Sequence, residues 1–153
     1  MVELNIPAEH RYLSMADAWM TAFIERQDDI ANRDDFSNEF VLAAHELVAN
    51  VMDHAYGGRG GKISMTIDRA KSAKAVVMRI VDQGKPFSTQ SRAGTTWSAS
   101  GECPGGRRLE SVSEPEWDQV RGRGLFLANS LLDSVVYCHT GGENLWLLTK
   151  LSK

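Results

Sequence analysis

FVLAAHELVANVMDHAYGG, residues 40–58, is the stretch that decides the fold. As a helix, it would align Glu46, Asn50 and His54 at four-residue intervals on one narrow stripe, which Asp53 joins. Most of the remaining circumference is apolar, which is typical of a buried helix and the reverse of an ordinary surface helix. A buried carboxylate beside a carboxamide is unfavourable unless something pairs with it, and a bound ligand with a metal is the natural partner. The alternative is a stripe that faces water, as charged residues usually do.

Length and composition indicate one domain and exclude several classes of surface. The chain has 153 residues, enough to bury a core, so we expect a single domain over residues 1–153. The net charge is −3 and no long run of Lys or Arg occurs, which argues against nucleic-acid and membrane surfaces. Cys103 and Cys138 lack the C-x-x-C spacing of a zinc or redox site and are predicted to be ordinary cytosolic thiols. Without a leader pattern or a span-length apolar run, a cytoplasmic location is expected.

Strands and helices are predicted on both sides of the central helix. Residues 2–6 alternate apolar and polar, which predicts an edge strand, and residues 13–24 have the apolar spacing of an amphipathic helix. Asp34, Asp35 and Ser37 are candidate N-caps of the central helix. Two strands are expected at residues 63–67 and 75–81. A closing hairpin is expected from residues 135–139 and 145–151.

The segment Ser88–Val120 differs in composition from the rest. It is rich in Ser, Thr, Gly, Pro and Arg, and it has few apolar residues. Such a segment inside a compact domain is usually a mobile functional loop or is disordered. Trp97 and Trp117 within it either cover a nucleotide or a partner, or simply pack on the domain.

Two glycine motifs flank this segment. Asp82 ends a predicted strand, and Gly84 follows two residues later. A carboxylate at a strand end before a glycine is common in loops, so this pattern alone carries little information. Gly122 and Gly124 open a predicted helix, where backbone N–H groups can converge on an anion and the helix dipole favours negative charge. A lone G-x-G carries little weight, but the order of the motifs carries more.

That order resembles the Bergerat-fold ATPases of the GHKL superfamily over roughly residues 36–151. The shared features are a buried helix with E-x-x-x-N-x-x-x-H-A, a strand ending in D-x-G, a long loop, and G-x-G opening a helix. Within the superfamily, residues 46–50 and 53–56 are most similar to the anti-sigma-factor serine kinases, which bind and phosphorylate small antagonist proteins. Pro86 replaces the second glycine of D-x-G-x-G, as is typical of that branch. Asn144 stands near the last strand where Thr is usual.

The resemblance implies a fold. We expect an α/β (α+β) two-layer sandwich, in which a mixed sheet carries helices on one face. The Bergerat site would bind ATP between the helices and a flexible lid at about residues 86–120.

The resemblance also implies roles for single residues. Asn50 would ligate Mg²⁺, a hard cation that takes oxygen ligands, and Glu46 would act as general base on an attacking hydroxyl, as a carboxylate in a partly dry site can. Asp82 would accept a hydrogen bond from the adenine amino group, and Gly84 would let the backbone approach the base. The other nucleotide-binding residues that it implies are Asp53, His54, Arg121, Gly122, Arg123, Gly124 and Leu125.

For three of these residues a plainer interpretation stands beside the functional one. Arg121 and Arg123 either neutralise charge on the transferred phosphoryl group or are solvated loop residues. His54 is interpreted as a structural hydrogen-bonding residue and not as a catalyst.

Two functions of different classes are compatible with this pattern. The first is an ATP-dependent protein-serine kinase that phosphorylates an antagonist protein and sequesters a sigma factor or an equivalent regulatory target, with a homodimer as its expected assembly. The second is a non-catalytic, nucleotide-dependent protein-binding module. Glu46 favours the first, because a pure switch has no need of a base. A sensor kinase is disfavoured since no helical segment with a phosphoacceptor His precedes the domain, and a topoisomerase or repair ATPase would need a further domain.

Overall fold

Seven strands and three α-helices make up the part of the chain that the computed structural model describes, residues 1–57, 60–90, 94–114 and 123–152. In chain order they are β1 (Val2–Pro7), α1 (Leu13–Glu25), α2 (Arg33–Tyr56), β2 (Lys62–Ala70), β3 (Ala75–Asp82), β4 (Thr95–Ser100), β5 (Gly106–Val112), α3 (Arg123–Leu131), β6 (Ser134–Thr140) and β7 (Glu143–Leu151). A short 3-10 turn, His10–Tyr12, precedes α1.

The strands form one sheet in the order β1-β2-β3-β7-β6-β5-β4. Every strand pairing within the described residues is antiparallel, so the prediction of a mixed sheet is wrong. The reason lies in the connections. Between β1 and β2 the chain makes a pair of helices, which returns it to the end of the sheet that it left. A parallel neighbour would instead need a crossover to the opposite end.

The helices pack on one face of the sheet, and the main core lies between these two layers. Residues of α2 such as Phe40 and Met52 are fully buried against Ile80 of β3 and Leu148 of β7 in one cluster. On α1, Leu13, Ala16, Met20 and Ile24 are buried at helical spacing. The predicted two-layer α+β sandwich is therefore confirmed, as are the edge strand, the two central strands and the closing hairpin.

The central helix α2 begins earlier than its apolar pattern suggested. Asn32 adopts a left-handed conformation with φ of 49° and the helix starts at Arg33, so the expected caps Asp34 and Asp35 lie in its first turn. Their negative charge is favourable there because of the helix dipole. Gly57 ends the helix with φ of 59°, a left-handed position that suits glycine. No described helix combines the length and the apolarity needed to cross a membrane.

Strands β4 and β5 form a hairpin within the segment that the sequence analysis treats as irregular. The expectation of irregular structure is therefore wrong for residues 95–112, and the flexible lid at about residues 86–120 stays a prediction. Residues 91–93 and 115–122, including Trp117, lie outside the described residues. Few apolar residues suffice to pack this hairpin on the domain, because Trp97 and Leu109 are paired and both contact the core. Trp97 packs on the domain, with its ring 6.0 Å from that of Phe87. A β-bulge between Thr96 and Trp97 interrupts this edge strand.

A disulfide joins the turn of this hairpin to the neighbouring strand β6. Cys103 and Cys138 are bonded, with their Cα atoms 6.4 Å apart, so the prediction of ordinary thiols is wrong. Gly106 of β5 lies next to the disulfide, on the side of Cys103. A Cβ at Gly106 would approach Cys103 Sγ to 2.9 Å, so glycine provides the space in which Cys103 reaches β6.

Candidate functional site

A cavity of about 640 Å³ lies between α2, the end of β3, the start of α3, and strands β6 and β7. It brings together many of the residues that the sequence predicted. Those that line it are Glu46, Asn50, Asp53, His54, Asp82, Arg123, Gly124 and Leu125 from the predicted set, with Lys85, Phe87, Tyr137, Asn144 and Trp146 among the others. The predicted residues Arg121 and Gly122 lie outside the described residues.

The polar stripe of α2 faces this cavity. Glu46 and Asn50 are half-buried, while Asp53 and His54, nearer the end of the helix, are exposed at the cavity rim. His10 Nε2 lies 2.7 Å from Asp53 Oδ1, so the 3-10 turn holds this carboxylate from outside. His10 could not be found from the sequence, because no local pattern links it to Asp53, which lies 43 residues further along the chain.

The start of α3 meets the same stripe at Asn50. Gly124 is buried, and a Cβ there would overlap the carboxamide nitrogen of Asn50. Glycine at position 124 thus leaves room for the Asn50 side chain against the start of α3. The first turn of α3, with Arg123 and Gly124, therefore opens onto the cavity beside Asn50 and Glu46.

Asp82 closes the opposite end of the cavity. Its side chain is 2% exposed, and Oδ1 accepts hydrogen bonds from Asn144 Nδ2 at 2.7 Å and from the Gly84 N–H at 2.9 Å. Burial raises the pKa of the Asp82 carboxyl above its ordinary value, and these two donors oppose that rise.

Gly84, the next predicted residue, is needed for a reason that the sequence did not reveal. A Cβ at position 84 would collide with the backbone carbonyl of Ala55 in α2. Lys85 N donates a hydrogen bond of 2.8 Å to that same carbonyl. Gly84 therefore joins the loop after β3 to the end of α2, which sets the width of the cavity at this end.

Asn144 and Tyr137 form a polar network behind Asp82. Tyr137 Oη donates to Asn144 Oδ1 at 2.6 Å and accepts from the Phe87 N–H at 2.8 Å. Burial raises the pKa of Tyr137, so the phenol is neutral and able to donate. In the sequence Asn144 was visible only as a departure from Thr, and Tyr137 gave no signal beyond its place in a strand.

Aromatic rings form the apolar wall next to Asp82. The ring of Trp146 lies 5.1 Å from that of Phe87 and 4.8 Å from that of Tyr137, and all three residues line the cavity. Trp97 supports the wall from behind, 6.4 Å from Trp146. An aromatic wall beside a buried carboxylate suits a planar base that carries an amino group.

Comparison with protein families identifies this arrangement. A family model described as a histidine kinase-like ATPase domain matches residues 6–150. The chain belongs to that family. Membership confirms the predicted GHKL superfamily and assigns ATP to this histidine kinase-like ATPase domain as its ligand. A comparison with curated proteins found no match.

The described part of this ATPase domain has no preformed metal cage. No three His, Cys, Asp or Glu side chains are grouped there as metal ligands. Mg²⁺ commonly binds through one or two protein oxygens together with nucleotide phosphates and water. The position of Asn50, in the cavity and against the start of α3, fits that mode of binding.

Proposed function

We propose that this ATPase domain is a protein-serine/threonine kinase that transfers the γ-phosphoryl group of ATP to a small antagonist protein and also sequesters a sigma factor or an equivalent regulatory target. The observation that carries the proposal is the position of Glu46. It lies in the cavity one helical turn before Asn50. A half-buried carboxylate at that point can take the proton from an attacking hydroxyl.

The two ends of the cavity support an ordered placement of ATP. The base would lie at Asp82 and the aromatic wall, since a buried carboxylate accepts from the amino group of adenine. The triphosphate would then extend along α2 towards the start of α3. There the backbone of Gly124 and the Arg123 side chain offer donors and positive charge to the phosphates.

Asn50 would hold Mg²⁺ through its side-chain oxygen, and the ion would supply charge neutralisation for the β- and γ-phosphates. The residues of the chain supply the rest. Glu46 accepts the proton of the substrate hydroxyl while the oxygen of that hydroxyl forms the new bond to phosphorus. The bond between the γ-phosphorus and the bridging oxygen breaks, and ADP leaves with the electron pair. Arg123, which lines the cavity, would stabilise charge on the transferred group.

The resemblance to anti-sigma-factor serine kinases supports the remaining parts of the proposal. These are the antagonist substrate, the sequestered target, a homodimer and a cytoplasmic location. The same cavity without phosphoryl transfer would serve the alternative function, a nucleotide-dependent binding module. Glu46 favours the kinase, because only transfer uses it as a base.

A transfer assay with Glu46→Gln tests the proposal. The substrate is sought among proteins that co-purify with the chain from its own cell, with labelled ATP and a mass-spectrometric map of the phosphosite. Wild type should label a serine or threonine of a small partner protein. Glu46→Gln keeps the shape of the side chain but removes the base, so ATP should still bind while transfer falls roughly 10²–10⁴-fold.

Two further variants make the result interpretable. Asn50→Ala should impair both binding and transfer, because it removes the proposed metal ligand. Glu143→Gln changes an exposed glutamate at the start of β7, which does not line the cavity, and should behave as wild type. Two results would contradict the serine/threonine kinase function and leave the binding-module alternative. One is phosphate on His54 or His139, and the other is full transfer by Glu46→Gln.

A further inference from the structure

Three neighbouring strands align polar residues at the end of the sheet beside α2. Asp82 of β3 pairs directly with Asn144 of β7, and Asn144 pairs directly with His139 of β6. Directly paired residues of antiparallel strands project from the same face of a sheet. Asp82 and Asn144 are each 2% exposed, so this row places an ionisable group and an amide in the interior at one end of the cavity.

The carboxamide of Asn144 has its hydrogen-bonding capacity filled by the protein. Its Nδ2 donates to Asp82 Oδ1 at 2.7 Å and to the Gly84 carbonyl at 3.1 Å. Its Oδ1 lies 2.6 Å from Tyr137 Oη and 2.8 Å from His139 Nδ1, both of which donate to it. A carboxamide has two N–H donors and one oxygen with two lone pairs. Asn144 therefore has no group left with which to contact a nucleotide, and any effect that it has on a ligand acts through Asp82.

The orientation of this amide follows from its partners. A carboxylate and a backbone carbonyl can only accept, so the nitrogen of Asn144 must face Asp82 and Gly84. Its oxygen then faces Tyr137. Because that oxygen can only accept, the hydroxyl hydrogen of Tyr137 points towards Asn144.

These hydrogen bonds form a chain in which every hydrogen points towards Asp82. The Phe87 N–H donates to Tyr137 Oη, Tyr137 Oη donates to Asn144 Oδ1, and Asn144 Nδ2 donates to Asp82 Oδ1. Donors aligned in this way polarise one another and strengthen the last bond of the chain. The hydrogen bonds to Asp82 from described residues all end on Oδ1, which leaves Oδ2 for a ligand.

We infer that Tyr137 and Asn144 are positioning residues that determine base specificity, because they keep Asp82 ionised and hold it with Oδ2 available to the amino group of adenine. The inference rests on the proposed binding mode, in which Asp82 reads the base. Burial of a carboxylate favours its neutral form unless donors compensate. A carboxyl group that had gained a proton could donate to a 6-oxo purine, so discrimination between amino and oxo bases would be lost.

The matched ligands ATP and ITP test this role. They share ribose and triphosphate and differ at purine position 6, which carries an amino group in ATP and an oxygen in ITP. Wild type should bind ATP more tightly. Tyr137→Phe removes one neutral donor from the chain without changing the ring, so ATP affinity should fall roughly three- to tenfold while ITP affinity stays the same.

A second variant protects the test against a folding defect at position 137. Asn144→Leu keeps about the size of the side chain and removes all the donors and acceptors of the amide, so Asp82 loses this hydrogen bond and Tyr137 loses its acceptor. The ratio of ATP to ITP affinity should fall in this variant as well. Titration calorimetry gives both affinities, and circular dichroism checks that each variant is folded.

Tyr56→Phe is the matched control. Tyr56 Oη accepts from the Gln83 N–H at 2.9 Å and donates to the Lys62 carbonyl at 2.8 Å, so it binds the loop after β3 without joining the chain to Asp82. The ratio of ATP affinity to ITP affinity in Tyr56→Phe should equal that of wild type. Three outcomes would overturn the inference alone. They are an unchanged ratio of ATP to ITP affinity in folded Tyr137→Phe and Asn144→Leu, an equal loss of both ligands, and a wild type that does not discriminate between them. A wild type that binds neither nucleotide would overturn the proposed function with it.

Discussion

At the scale of single residues, Asp82 combines a proposed binding role with an unfavourable contribution to stability. It is a buried carboxylate with a raised pKa, so its charge is harder to maintain in the folded chain than in the unfolded chain. Such a group lowers the free energy of unfolding at pH values above its folded pKa. The penalty disappears as the pH falls through that pKa, because the folded chain then takes up the proton.

Asp82→Asn should therefore separate binding from stability. The amide cannot supply the charged acceptor for adenine, so ATP affinity should fall more than tenfold, as expected for a hydrogen bond to a charged group. The free energy of unfolding at neutral pH should not fall, since the oxygen of the new amide still accepts from Asn144 and Gly84 and no buried charge remains. Any stability gain over wild type should grow as the pH rises from the unfolded-state pKa of Asp82 to its folded-state pKa, and it should stay constant above that.

Calorimetry and denaturant unfolding at several pH values provide the measurements. Equal ATP affinity in Asp82→Asn, or equal affinity of the wild type for ATP and GTP, would refute the assignment of Asp82 to the base. A variant that is less stable than wild type at neutral pH would refute the account of its buried charge.

The residues that the sequence located are those whose partners lie on the same element. Glu46 and Asn50 were found because helical spacing alone puts them side by side, whereas Asp82 took its role from the order of motifs that resembles the GHKL ATPases. Tyr137 could not be found in this way. Its importance depends on the register of β6 against β7 and on the return of the loop at Phe87, and neither is encoded in a local pattern.

At the scale of elements, the β4–β5 hairpin has a narrow attachment to the rest of the sheet. Two residue pairs, Arg107 with Tyr137 and Arg108 with Val136, join β5 to β6. The disulfide between Cys103 and Cys138 and the packing of Trp97 complete the attachment. By contrast, β3 and β7 are paired along eight positions.

Reduction of the disulfide should loosen this hairpin selectively. The link closes a long loop, with its cysteines 35 residues apart, and its loss should lower the free energy of unfolding by about 2–4 kcal/mol. Amide hydrogen exchange in residues 94–114 should speed up in wild type when a reductant is added, while β2 and β3 remain protected.

Cys103→Ser supplies the control for that measurement. It should exchange quickly in this segment with or without the reductant, because the link is already absent. Slow exchange in Cys103→Ser, equal to that of oxidised wild type, would show that side-chain packing and the two residue pairs hold the hairpin without the disulfide.

The hairpin also shows why sequence patterns failed for this element. Its outer face is polar and, among its described residues, Trp97, Leu109 and Val112 pack on the core, so the segment has the composition of a loop. Pairing with a neighbouring strand satisfies its backbone, and that neighbour becomes available only when α3 returns the chain to the same edge. The two-layer architecture could be predicted from sequence more easily. The spacing of apolar residues in α1, α2, β2 and β3 already indicates which face of each element is buried.

At the scale of the whole molecule, the sheet and its helices place two chemically different ends on one cavity. The base end is built from β3, β6 and β7, which are the best-buried strands. The phosphate end is built from the stripe of α2 and the start of α3, where half-buried and exposed polar groups collect. A ligand that is planar and apolar at one end and anionic at the other fits this division, as ATP does.

The aromatic wall gives the domain an intrinsic optical probe. Trp146 lines the cavity and Trp97 lies 6.4 Å from it, so both indole rings are close to a base bound beside Asp82. A purine that enters displaces water from the neighbourhood of Trp146 and changes the polarity that governs its emission. Nucleotide occupancy should therefore be readable from tryptophan fluorescence of the unlabelled protein, and Trp146→Phe should remove most of that signal.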